Sequence, residues 1–180
     1  MIITVGGEIG AGKSTVARRL AQALGLRYLS TGELFREEAR RRGLTLEAFS
    51  AVAEQDPSID RTLDAKQVEA ARGGRIVIES RLSGWLIDAD LRIWLRAALP
   101  VRAERVASRD GTSPQAAARD IELREASECR RYREAYQIDL TDLSRYHIVL
   151  DTGRWSPEEI VEALLALTRR FHSARLGQRA

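Results

Sequence analysis

The chain has 180 residues, enough for one domain with a substantial hydrophobic core but too few for a second complete one. Its 29 basic and 26 acidic residues are interspersed and leave a net charge of only +3, which disfavours a nucleic-acid-binding surface. A single cysteine, Cys129, excludes an internal disulfide, and the sequence shows neither a signal peptide nor an apolar run of about 18 residues. We therefore expect a single-domain monomer, residues 1–180, that is cytoplasmic and has no membrane partner.

The first predicted element is a short strand, residues 2–5, and the sequence GEIGAGKS follows at residues 7–14. An amphipathic stretch over residues 14–24 comes next, so the motif stands between a strand and a helix, as a phosphate-binding loop does. Glycines let consecutive backbone N–H groups turn towards the phosphates of a nucleotide, and the helix directs its positive end at them. The predicted nucleotide-binding residues are Gly7, Gly10, Ala11, Gly12, Lys13, Ser14 and Thr15.

Two side chains of this loop have specific predicted roles. Lys13 neutralises oxygens of the β- and γ-phosphates, and the Ser14 hydroxyl binds Mg²⁺. The loop alone does not distinguish a GTPase, an ATPase motor and a small-molecule kinase. The chain contains no asparagine, whereas guanine-specific GTPases read the base with an Asn-Lys-x-Asp segment, and it is too short for a complete motor. These observations favour a kinase that uses ATP.

Four further apolar strands are predicted at residues 27–29, 75–78, 91–95 and 146–150, separated by amphipathic helical stretches. Five strands joined by helical crossovers form a parallel sheet with helices on both faces. Helix starts are marked where a capping side chain precedes proline, at Asp56, Ser113 and Ser156. The fold class is therefore predicted to be α/β, and the tail from residue 172 to 180 is expected to fray.

Two stretches between strands are longer than simple crossovers need. Residues 31–72 read as entirely helical and are predicted to be an inserted substrate-binding lobe. A polar, Arg-rich stretch follows the fourth strand and is broken at Asp110-Gly111. This break predicts a short lid, residues 105–125, between two helices.

The segment after the second strand bears on the type of acceptor. Kinases that phosphorylate a hydroxyl position a carboxylate to take its proton, often near the end of the second strand. In this chain residues 28–32 at that position read YLSTG, with no acidic residue until Glu33. A phosphate acceptor needs no such base, because its second pKa of ~6 leaves it largely dianionic. It needs arginines that offset the repulsion between phosphates. Arg36 and Arg81 follow strands two and three, at the carboxyl edge where parallel sheets bind ligands.

Four side chains of the later Arg-rich stretch share one helical face, because they recur at i, i+3, i+4 and i+7: Arg124, Ser127, Glu128 and Arg131. Arg109 stands at the lid break, with Arg105 one turn earlier. Arg109, Arg124 and Arg131 are predicted to act on the γ-phosphate during transfer, where one arginine is worth ~10³–10⁵ in rate. The alternative is a solvated helix with many Arg–Glu pairs.

Among the remaining candidates, Glu79 ends an apolar strand near the expected ion and is predicted to hold Mg²⁺ through a water. Of the three tryptophans, Trp94 and Trp155 are predicted to be core residues, and Trp85 is a minor candidate for a contact with the acceptor base. The two histidines are isolated, so no metal-ligand cluster is predicted.

Five segments together resemble nucleoside monophosphate kinases, and among them the short archaeal-type (type 2) cytidylate kinases, over nearly the whole chain. They are GEIGAGKS at 7–14, STGELFR at 30–36, DPSID at 56–60, ESRLSGW at 79–85, and RRY at 130–132 followed by YQID at 136–139. The resemblance implies a P-loop fold with sheet order 2-3-1-4-5, a helical monophosphate-binding lobe and a short lid. It also implies that Thr31 and Gly32 join Arg36 and Arg81 in binding the acceptor.

The reaction implied by the resemblance converts ATP and CMP, or dCMP, into ADP and CDP, or dCDP. Cytosine offers an N4 amino donor and N3 and O2 acceptors, so its site needs a carboxylate or carbonyl together with a donor. Five residues of the lobe qualify chemically, and the sequence does not choose among them: Asp56, Ser58, Asp60, Arg61 and Gln67.

Two alternatives stay open. One is a kinase for another monophosphate, UMP or AMP. Adenylate kinases usually carry Asp-Gly-Phe-Pro-Arg where this chain has ESR at residues 79–81, which argues against AMP. The other alternative is a non-catalytic, nucleotide-binding regulatory module whose helical lobe docks a partner protein; it would bind nucleotide without turnover.

Overall fold

A computed structural model describes residues 1–177 of the chain, with side chains described to Arg170. The elements in chain order are β1 (Ile2–Gly7), α1 (Lys13–Leu24), β2 (Arg27–Ser30), α2 (Thr31–Arg41), α3 (Leu46–Gln55), α4 (Pro57–Arg72), β3 (Ile76–Glu79), α5 (Ser83–Leu86), β4 (Leu91–Arg96), α6 (Leu99–Asp110), α7 (Pro114–Tyr136), β5 (Ile148–Asp151) and α8 (Pro157–Gly177). The last three residues of the tail expected to fray lie outside the described part. No described helix is long and apolar enough to cross a membrane.

The five strands form one parallel sheet in the order β2-β3-β1-β4-β5, which confirms the predicted fold class and strand order. Strand β1 lies at the centre, with Val5 opposite Glu79 of β3 and Ile93 of β4. On the far side of β3, Ser30 of β2 is also opposite Glu79. The register therefore brings the ends of β2 and β3 beside the loop that follows β1, at the carboxyl edge of the sheet.

The core lies on both faces of the sheet. On one face, α1 and α8 cover the central strands, and Ile3, Leu20 and Leu164 are completely buried. On the other face, α4 and α5 cover a cluster that includes Ile76 and Ile78. Each such side chain contributes about 1.5–3 kcal/mol when fully buried, so the sheet is a rigid base for the loops at its edge.

Every strand ends one or two residues later than predicted, and two strands also begin later, for local reasons. Strand β3 begins at Ile76 rather than residue 75, because Arg75 has a φ of +48°, which no strand residue adopts. Strand β5 begins at Ile148 rather than residue 146. Tyr146 is instead buried against Trp94, with the ring centroids 5.0 Å apart.

The predicted helix starts are present with their caps. The Asp56 carboxylate accepts a hydrogen bond from the Ser58 amide at 3.0 Å, and the Ser113 hydroxyl accepts one from the Ala116 amide at 3.2 Å. Ser156 and Glu159 form a reciprocal capping box at the start of α8. These caps satisfy amides that would otherwise lack partners and so fix where the helices begin.

Helices α2, α3 and α4 occupy residues 31–72 apart from a turn at residues 42–45 and Asp56, so the stretch between strands two and three is almost entirely helical, as predicted. They share a small core around Phe49, which is completely buried against Ala39, Ala53 and Leu63. These side chains pack mainly on one another, so α2, α3 and the start of α4 share a core of their own, whereas the end of α4 packs on the sheet. That residues 31–72 are an inserted substrate-binding lobe, called the helical lobe below, stays a prediction. Residues 105–125 contain the adjoining ends of α6 and α7, which pack together and are joined by a turn at Gly111, where φ is +68°.

Candidate active site

The loop after β1 needs its glycines. Gly7, Gly10 and Gly12 have φ values of +146°, +81° and +85°, which side chains other than glycine rarely adopt. A Cβ on Gly7 would lie 2.2 Å from the Leu95 carbonyl oxygen, and one on Gly10 would lie 2.9 Å from the Arg102 carbonyl oxygen. Glycine is therefore required at positions 7 and 10 by close contacts, and at position 12 it is favoured by its backbone conformation alone.

Lys13 begins α1 at the end of the loop, and its ammonium group donates a hydrogen bond to the Glu8 carbonyl oxygen at 2.7 Å. Burial lowers the pKa of Lys13 to about 8, although the nearby Glu79 carboxylate opposes this shift. An ammonium group removed from water and held by a carbonyl is ready to exchange that contact for a phosphate oxygen. This placement suits the predicted phosphate-binding role.

The lowered pKa of Lys13 predicts a pH dependence of ATP use. Lys13 is cationic below its pKa of about 8 and neutral above it, and only the cation attracts phosphate. Because kcat/KM reports on the free enzyme, kcat/KM for ATP should fall by about tenfold for each pH unit above that pKa. In a Lys13→Arg variant the side chain stays charged, so the remaining kcat/KM for ATP should not decrease with pH in this range. A wild-type profile that stays flat well above pH 8 would contradict the assignment.

Glu79 is buried at the end of β3, where three hydroxyl groups donate hydrogen bonds to it. Its carboxylate accepts hydrogen bonds from Ser14 at 3.2 Å, from Tyr28 at 3.4 Å and from Ser30. Burial and the Glu79 charge raise the pKa of Tyr28 to about 12, so Tyr28 remains a hydrogen-bond donor.

The oxygens of Ser14 and Glu79 are of the kind that Mg²⁺ prefers. Among the described residues no group of three or more His, Cys, Asp or Glu side chains could hold a metal ion. A site of one hydroxyl and one carboxylate suits a Mg²⁺ ion that is carried in with nucleotide phosphates and keeps its waters.

A central cavity of about 1080 Å³ opens above the carboxyl edge of the sheet. It is lined by the phosphate-binding loop and α1, by the helical lobe, by the end of β3, by α6 and α7, and by the segment between β5 and α8. Sites for small molecules usually measure ~300–1,000 Å³, so this cavity lies at the upper end of that range and is large enough for a nucleotide.

The four residues predicted to bind the acceptor line this cavity or its floor. Arg36 folds back over Gly32, because its guanidinium lies 3.6 Å from the place of a Cβ on that glycine. The Thr31 hydroxyl is buried with no hydrogen-bond partner among the described residues. Arg81 is held by the Glu128 carboxylate at 2.7 Å and donates a hydrogen bond to the Gly7 carbonyl oxygen at 2.8 Å. Arg81 thus lies directly beneath the phosphate-binding loop.

The predicted shared face of α7 is present, and all four of its residues line the cavity: Arg124, Ser127, Glu128 and Arg131. They have different partners. Arg131 is buried in an ion pair with Asp60 of the lobe at 3.2 Å, whereas Arg124 lies 3.7 Å from Asp120 one turn earlier. Arg131 therefore faces the lobe in this structure, and its predicted action on the γ-phosphate stays a prediction.

Arg109 and Arg105 of α6 also differ from each other. Arg109 makes a bidentate pair with Asp110 beside it, at 2.7 and 2.8 Å, and is 58% exposed, so it must give up that pair to reach a nucleotide. Arg105 donates hydrogen bonds to the side chain and backbone of Thr152, at 2.9 and 2.7 Å. The Thr152 hydroxyl in turn donates to the Ala11 carbonyl oxygen at 3.0 Å. Arg105 thus fixes the segment after β5 beside the phosphate-binding loop.

The prediction that Trp155 is a core residue is wrong. The side chain is 56% exposed and lines the cavity in the segment after β5. Trp94 is buried as predicted, and Trp85 packs among Leu82 and Ile138 outside the cavity, under the Arg145 guanidinium. The position of Trp155 just past the carboxyl end of a strand, the rule that selected Arg81, is the sequence signal that could have identified it.

The phosphate-binding loop, the parallel sheet of order 2-3-1-4-5 and the cavity above its carboxyl edge define a P-loop kinase. The chain belongs to the cytidylate kinase-like family, whose profile matches residues 2–154. It is 48% identical over 177 residues to a cytidylate kinase of Methanopyrus kandleri, covering 92% of each chain. It is 45% identical over 161 residues to a cytidylate kinase of Pyrococcus horikoshii, covering 89% of this chain and 84% of the relative.

Solved structures show the same fold at low sequence identity. A shikimate kinase of Bacteroides thetaiotaomicron aligns with a TM-score of 0.61 and 16% identity, over 94% of this chain and 98% of the other. A gluconokinase of Sinorhizobium meliloti aligns with a TM-score of 0.61 and 20% identity, over 97% and 95%. These likenesses concern the fold alone.

Proposed function

We infer that the chain is a cytidylate kinase, an ATP-dependent enzyme that transfers the γ-phosphate to CMP or dCMP. The observation that carries this inference is the central cavity, which joins the phosphate-binding loop to a helical lobe bearing Arg36 in a chain of the cytidylate kinase-like family. The loop and Lys13 hold the donor phosphates. Arg36 and Arg81 hold the acceptor phosphate and offset the repulsion between the two phosphate groups as they approach.

Ser14 and Glu79 would hold Mg²⁺, which when bound neutralises charge on the β- and γ-phosphates. The protein contributes position and electrostatics. Since the acceptor is already anionic, no side chain has to remove a proton from it. Arg109 and Arg124 stand on the lid side of the cavity and are proposed to stabilise charge on the transferring group.

Trp155 is proposed to stack on the adenine of ATP, because it presents an exposed ring on the part of the cavity that Arg105 and Thr152 tie to the phosphate-binding loop. Stacking of a base on an aromatic side chain is worth ~1–3 kcal/mol. Trp155→Ala should therefore raise KM for ATP by about 5- to 150-fold and leave KM for CMP nearly unchanged. Steady-state kinetics with each substrate varied in turn measures both constants.

Trp155→Phe is the matched control, since it keeps an aromatic face and should retain most of the ATP affinity. Equal changes in KM for ATP and for CMP in Trp155→Ala would indicate a general disturbance of the cavity. That outcome would remove Trp155 from the donor site.

The proposed function is tested by an ADP-release assay with ATP and each of AMP, CMP, dCMP, UMP and GMP. We expect CMP and dCMP to give the highest kcat/KM. Preference for UMP or AMP would establish the alternative kinase reading. Tight nucleotide binding without turnover on any acceptor would instead support the regulatory module.

A further inference from the structure

The inward face of α4 carries an unusual set of polar residues. Asp60, Asp64 and Gln67 recur at i, i+4 and i+7 and are 6%, 8% and 0% exposed. Burying a carboxylate is costly unless it is paired or hydrogen-bonded, so each of these groups needs a specific partner. Asp56, Ser58 and Arg61, the other candidates for reading the base, are exposed and do not line the central cavity.

The two buried carboxylates differ in their partners. Asp60 is neutralised by its ion pair with Arg131. Asp64 accepts hydrogen bonds from the Tyr136 hydroxyl at 2.6 Å and from the Gln67 amide at 2.6 Å, and both of these groups are neutral. A carboxylate with two oxygens has capacity for about four hydrogen bonds, so Asp64 keeps free acceptor positions.

Asp64 also faces the ligand space. Asp60, Leu63 and Asp64 line the same cavity as Arg36 and the phosphate-binding loop. Ser127 of α7 lines the same cavity and is 8% exposed. Its hydroxyl is buried and has no hydrogen-bond partner in the described part of the chain. A buried hydroxyl that lines a cavity can complete its hydrogen bonds with a ligand or a water in that cavity.

We propose that Asp64 reads the acceptor base by accepting hydrogen bonds from the exocyclic amino group of a cytosine, while the adjoining Asp60–Arg131 pair offers the guanidinium to the acceptors N3 and O2. Uracil presents a carbonyl oxygen where cytosine presents the amino group, so its O4 would face the Asp64 carboxylate as acceptor against acceptor. The site therefore favours cytosine by attraction and rejects uracil by repulsion. This inference rests on the proposed function.

The test is Asp64→Asn, which preserves shape and can still accept from Tyr136 but removes the charge and adds an amide donor for a carbonyl oxygen. The ratio of kcat/KM for CMP to kcat/KM for UMP should fall by about 5- to 150-fold, the discrimination expected of one base-reading contact. KM for ATP should stay close to the wild-type value. Thermal unfolding of each variant checks that the fold is retained.

Tyr136→Phe is the matched control, because it removes a hydrogen bond to the same carboxylate from outside the cavity and leaves the charge in place. Its CMP-to-UMP ratio should remain near that of the wild type even where its stability falls. If Asp64→Asn lowers both kcat/KM values equally, or if Tyr136→Phe shifts the ratio as much, Asp64 has a structural role only. Wild-type protein that prefers another monophosphate would refute the proposed function as well, which distinguishes the two failures.

Discussion

Replacing Lys13 by methionine should reduce turnover by about 10³-fold or more while leaving the protein folded. Among the described residues the ammonium group donates to the Glu8 carbonyl oxygen alone, and its methylene chain can be kept by methionine. What is lost is the one positive charge of the loop, which is proposed to face the β- and γ-phosphates. Turnover under saturating ATP and CMP, together with circular dichroism of the variant, measures the effect.

The chain offers a clean control for this substitution, because its only other lysine, Lys66, lies exposed on α4. Lys66→Met makes the same chemical change far from the phosphates and should leave turnover within the range of the wild type. A folded Lys13→Met protein with near-normal turnover would refute the assignment of the loop as the donor site.

Loss of the arginines at the acceptor end should produce the second large effect. Arg36→Ala and Arg81→Ala should each weaken CMP binding by ~2–5 kcal/mol, the cost of removing one partner of a buried, hydrogen-bonded charge pair. ATP binding should change much less for Arg36→Ala. Arg81→Ala should also lower thermal stability, because it leaves the partly buried Glu128 without the guanidinium that now pairs with it.

Separate titrations of CMP and ATP by calorimetry test these expectations. Arg41→Ala is the control, since Arg41 is an exposed arginine on the same helix as Arg36 and, within the described part of the chain, pairs with the neighbouring Glu38 alone. A defect confined to ATP would transfer Arg36 or Arg81 to the donor side and would remove the argument that residues 31–72 hold the acceptor.

The fold was predictable because its signals are local. Apolar strands, capping residues before proline and the phosphate-binding loop each depend on a few neighbouring residues, and together they allow few topologies. The strand order was available only through the resemblance to a family, and the structure confirms it. The errors at Arg75 and Tyr146 arose where backbone conformation or a tertiary contact overrides a run of apolar residues.

The candidate site was only partly predictable, because sequence reveals which residues reach the cavity more readily than which partners they find there. Arg81 and Arg131 follow from strand ends and helical spacing, but their pairing with Glu128 and Asp60 depends on contacts between distant elements. Asp64 is not among the residues predicted to read the base, because an acidic residue in a charged helix is ordinarily solvated. Its burial depends on a contact between distant elements, the hydrogen bond from Tyr136 of α7.

Helix α7 has a mechanical consequence, because its 23 residues form a single rod of about 35 Å. Its first turn follows Ser113 within the predicted lid, and its last two turns contact α4 through Arg131 and Tyr136. If this rod couples its two ends, thermodynamic linkage requires that ATP change the affinity for CMP by the same factor as CMP changes the affinity for ATP. Where that coupling is positive, the ternary complex is favoured over either half-filled state, which limits the time that bound ATP spends without an acceptor.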